Sequence, residues 1–124
     1  MNRLKLITVL CSLFILGCNS DKSESDEVLE PTFVSVFASK ESIQCESSGL
    51  SKEDSANQLI DVGIDVTNSG CAYNNSINVL AVCGTGTSEI IVHNIPEQSL
   101  KDAEGLGFIS TESIDNEYTV FDCE

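Results

Sequence analysis

The sequence predicts a small α+β domain: a mainly antiparallel sheet with two helices on one face, in the order β-α-β-β-β-α-β, close to a ferredoxin-like arrangement. Three observations carry this expectation. Short apolar runs with strand-like patterning alternate with two segments that share a helix-start pattern, Ser51-x-x-Asp54 and Ser99-x-x-Asp102. Each of those segments leads through apolar residues to a glycine, which makes two similar strand–helix–strand units without a true repeat. Cysteines at 45, 71, 83 and 123 suit two disulfides in a domain with a thin core.

Phe33 to Ala38 is apolar on both alternating faces, as a central strand requires. A polar loop holding Cys45 follows. Ser51 is the natural N-cap of the first helix, and Glu53 and Asp54 complement the positive end of its dipole. Ala56, Leu59 and Ile60 form one apolar stripe, and Gly63 supplies the stop. Ile64 to Thr67 alternates and reads as a half-exposed strand, with Asn68 to Asn78 as a turn-rich connection. Ile77 to Cys83 and Ile90 to Ile95 are the next strands, joined as a hairpin through Gly84-Thr85-Gly86-Thr87. Pro96 ends that strand. A second helix of roughly two turns starts at Ser99 and is limited by Gly105 and Gly107. Ile109 to Ile114 is a short strand candidate, and Tyr118 to Phe121 a stronger one.

This topology carries an expected disulfide pairing. In a split β-α-β unit the first and second strands run parallel, so their C-terminal ends lie together. Cys45 follows the first and Cys71 the second, which pairs Cys45 with Cys71. Cys83 ends the third strand at the opposite edge, where an antiparallel final strand brings Cys123.

The amino terminus carries an address. Arg3 and Lys5 precede an apolar run from Leu6 to Leu16, and Ile15-Leu16-Gly17-Cys18 is followed by polar, acidic chain. A charged start, an apolar stretch and a small residue before the cut describe a secretory signal peptide. The run is too short for a membrane span, which needs about 20 residues. Cysteine directly after Gly17 resembles the lipobox of bacterial lipoproteins. The resemblance implies cleavage before Cys18, a diacylated Cys18 thiol and attachment to the envelope. Asn19 in place of an aspartate implies, by the same resemblance, the outer membrane over the inner. The chain then divides into a signal peptide at 1–17, a lipidated acidic tether at 18–30 and one stapled domain at 31–124. A tether of this length and composition has a root-mean-square reach of about 20 Å.

Loss of the signal leaves four lysines and no arginine against 20 acidic residues, a mature balance of −16. Such a surface repels phosphate backbones and anionic headgroups, which argues against nucleic-acid binding and leaves the lipid to hold the membrane. It also steers cationic partners toward the protein.

No motif rises to a reaction. Gly84-Thr85-Gly86-Thr87-Ser88 lacks the lysine of a phosphate-binding loop and sits between strands. Cys83 and His93 make a weak nucleophile–base pair, since the thiol is expected to be oxidised. The acidic stretches Asp21 to Glu30, Glu53-Asp54 and Asp115 to Glu117 lack calcium-loop spacing. With no C-x-x-C and one histidine, a zinc site is not expected, nor any cofactor. Asn74-Asn75-Ser76 reads as an exposed turn. The expectation is a non-enzymatic envelope lipoprotein, a binding module of unknown ligand. Its alternatives are an inhibitor or immunity protein for a cationic partner, or a peptidoglycan- or glycan-binding module.

Overall fold

A computed structural model describes residues 30–123; the signal segment, Cys18 and the tether up to residue 29 lie outside them. The elements are β1 (Phe33–Ser39), α1 (Lys52–Ile60), β2 (Asn68–Asn74), β3 (Glu89–Pro96), α2 (Leu100–Gly105), β4 (Ile109–Ser110) and β5 (Tyr118–Phe121). The sheet order is β4-β1-β3-β2-β5, every neighbouring pair antiparallel. The first four strands in that order form the split β-α-β arrangement, two interleaved strand–helix–strand units. β5 extends the sheet beyond β2. No helix among the described residues is long and apolar enough to cross a membrane.

Both helices pack on one face. Val36 of β1 and Ile95 of β3 meet Leu59 of α1 and Ala103 of α2, with Ile64 and Phe108 closing the cluster. Burying each of the larger side chains contributes about 1.5–3 kcal/mol. The opposite face carries a smaller cluster, Phe37, Ala72 and Ile90, covered in part by Ile114 and Tyr118.

The two helices end alike. Gly63 and Gly107 both take positive φ. The next residues, Ile64 and Phe108, donate their N–H groups back to Leu59 and Ala103. This closure satisfies the last carbonyls of each helix and drops Ile64 and Phe108 into the core. The starts differ. Ser51 caps α1, its Oγ accepting from the Asp54 N–H at 3.0 Å. Ser99, expected to cap α2, is already helical and makes no cap bond, because a 3-10 turn at Glu97–Ser99 leads directly into the helix.

Several sequence expectations are corrected. Ile64 to Thr67 is not a strand; β2 begins at Asn68, in the stretch read as turn. Ile77 to Cys83 is not a strand either, but part of an exposed loop between β2 and β3. Of Ile109 to Ile114 only the first two residues are strand, and the rest is a 3-10 turn. The disulfides are Cys45–Cys83 and Cys71–Cys123. They replace the expected Cys45–Cys71 and Cys83–Cys123. The reason is the shifted hairpin: Cys71 stands inside β2, opposite Ile91 and Phe121, where Cys123 follows β5. Cys83 is left in the loop, beside Cys45.

Candidate functional site

His93 is fully buried at the centre of the sheet. Its Nε2 lies 2.8 Å from the Ser55 hydroxyl and its Nδ1 2.7 Å from that of Ser69. Burial lowers its pKa from 6.5 to about 4, so the ring is neutral at physiological pH. Phe108 packs edge-on against it at 5.7 Å. The Ser55–His93 contact has the composition of a nucleophile and its base, but both residues are sealed from solvent. It is a polar element of the core.

The other sequence candidates disperse. Cys83 is disulfide-bonded in an exposed loop, remote from the core position of His93. Glu53 and Asp54 occupy the first turn of α1. Asp115 closes a 3-10 turn in the left-handed conformation. Asn74, expected in an exposed turn, is buried, and its Oδ1 accepts from the Ser76 N–H and hydroxyl. Among the described residues no group of three or more histidine, cysteine or acidic side chains is placed to hold a metal ion.

The two ends of the domain differ. At one end the described residues start beside the end of β3: Thr32 accepts from the Glu97 N–H through its carbonyl and donates to Glu97 Oε2 through its hydroxyl. β1 carries the chain to the other end, where the loop 40–50 and the loop 75–88 meet. We call this second end the distal pole.

A cleft of about 420 Å³ lies toward the distal pole, on the helix-bearing face, between the loop 40–50 and the β2–β5 edge. Its framework is polar and fixed. Lys40 is buried, donates to the Ser48 carbonyl, and lies 3.9 Å from Glu89 Oε2. The same carboxylate oxygen accepts from the Ser42 hydroxyl, which also contacts Thr87. Gly49 makes this fold-back possible: at φ +74°, a Cβ there would stand 2.0 Å from the Lys40 carbonyl. Tyr73 stacks on Phe121 with ring centroids 4.4 Å apart, yet stays 42% exposed. Both rings line the cleft, and Asp122 stands at its edge.

Beside the cleft runs the longest exposed apolar stretch of the domain. Ile77, Val79, Leu80 and Val82 are all exposed, Leu80 at 76%. From Asn74 to Ser88 the chain carries no charge at all. The Cys45–Cys83 bond fixes this loop, and Gln44 Nε2 donates to the Leu80 carbonyl at 2.6 Å. Four exposed apolar side chains within six residues make this loop a candidate interaction surface.

Lys40, Tyr73 and Phe121 were not singled out in the sequence. They meet only because β5 pairs with β2 and the loop 40–50 folds over that edge. No protein-family model, curated protein or solved structure matches the chain.

Proposed function

We propose that this chain is a non-enzymatic, lipid-anchored envelope protein that engages its ligand at the distal pole. The lipobox resemblance at Cys18 supplies the anchor. The observation that supports the binding end is the polarity of the domain: the chain arrives beside Pro96 and Glu97, whereas the cleft and the exposed loop lie beyond the far end of β1. A seven-residue strand separates the two ends by roughly 20 Å. Attachment at one end through the expected tether therefore leaves the other end unobstructed by the anchor.

Two measurements test this. Wild-type protein incorporates labelled palmitate and sediments with membranes, whereas Cys18→Ala does neither; continued membrane association of the variant refutes the anchor. A photo-crosslinking side chain at Leu80 captures an envelope component, and the same group at Gln98 does not. Equal capture from both ends refutes the distal pole.

The acidic mature surface supports a second reading, binding of a basic protein by the apolar loop. Glu46 lies beside the loop, its Oε1 3.4 Å from where a Cβ on Gly84 would stand, and Glu117 accepts from the Asn75 N–H through its carbonyl. Both side chains are exposed. That reading expects retention of basic secreted proteins at low salt, lost as the salt is raised.

A further inference from the structure

We infer that the cleft beside Tyr73 is a saccharide subsite that takes a neutral sugar of one or two rings. The inference deepens the proposed function by naming a ligand class for the distal pole.

Glu89 provides the first observation. Its contacts to Lys40, Ser42 and Thr87 all fall on Oε2. Among the described residues Oε1 takes no hydrogen bond, and the carboxylate lines the cleft with its side chain 21% exposed. The result is a positioned acceptor with half its capacity unused, which suits a ligand that donates hydrogen bonds. Asp122 adds a second carboxylate, and the Tyr73 hydroxyl makes no side-chain hydrogen bond among the described residues. Donors and acceptors at the rim therefore outnumber the partners they have.

The stacked rings are the second observation. A half-exposed tyrosine held by a neighbouring ring offers a flat apolar surface whose conformational freedom is already lost. A pyranose presents the matching chemistry, an apolar C–H face bordered by hydroxyls. The two carboxylates outnumber the single lysine, whose charge is occupied by Glu89, so an anionic ligand meets repulsion. The cleft volume falls within the range of small-ligand sites.

The test uses the full mature chain with Cys18→Ser, titrated with chitotriose and cellotriose as neutral probes, trigalacturonate as the anionic control and trilysine as the cationic one. Binding is read by isothermal titration calorimetry, a signal that survives replacement of Tyr73. At least one neutral trisaccharide binds, and Tyr73→Ala weakens it by about tenfold with circular dichroism unchanged. Glu89→Gln weakens it as well, and Gln98→Ala, an exposed position at the opposite end of the domain, leaves it unaltered. Absence of neutral-sugar binding, tighter binding of trigalacturonate or trilysine, or an unaltered Tyr73→Ala variant overturns the inference. Crosslinking from Leu80 is independent of all these outcomes, so the subsite and the distal-pole reading fail separately.

Discussion

His93 is the residue through which solution pH reaches the core. Its two serine partners bond either protonation state, because a hydroxyl donates or accepts as needed. Protonation is opposed by desolvation instead. The unfolded imidazole titrates near 6.5 and the folded one near 4, so acid favours the unfolded chain. This contribution to stability is complete above pH 6.5, falls as the pH drops from 6.5 to about 4, and changes no further below. The full effect is about 3 kcal/mol. Urea unfolding at pH 7, 5 and 4 measures it, with His93→Gln as the comparison. The wild type loses stability relative to the variant over that window, and parallel curves refute the assignment.

At the level of elements, β1, α1, β3 and β5 are legible because each carries its own pattern: alternating or continuous apolar runs, a capping serine, a terminal glycine. β2 is not. Asn68 to Asn74 reads NSGCAYN, with no β-branched residue, and is a strand only because β3 and β5 pair with its two edges. The reverse error occurs at Ile77 to Cys83, which has strand composition but no sheet edge beside it. β3 is already flanked by β1 and β2, and the disulfide to Cys45 fixes the stretch as a loop. The cleft inherits this illegibility, since Tyr73 lies on the unrecognised strand. A stability contrast follows. Leu80→Asn and Val82→Asn shift the melting temperature little, because both side chains are already solvated, whereas Ile95→Ala in the core costs about 3 kcal/mol. Calorimetry of the three variants checks this; a large loss at Leu80 shows that the loop is packed in solution.

On the scale of the whole molecule, the two disulfides overlap along the chain. Cys45–Cys83 spans 38 residues and Cys71–Cys123 spans 52, and each bond skips a cysteine that belongs to the other. A chain oxidised from its amino terminus joins Cys45 to Cys71 first, and the pair closest in sequence is Cys71 and Cys83. Neither bond is native, and short loops close at the least entropic cost. Rapid oxidation of the reduced, unfolded chain therefore traps sequence-adjacent pairs, and a glutathione buffer converts them to the native set over minutes to hours. Peptide mapping of quenched samples distinguishes this from direct native pairing, which instead means that the sheet assembles before its crosslinks. Crossed pairing thus makes the reshuffling of disulfides, rather than their formation, the expected slow step in maturation of this chain.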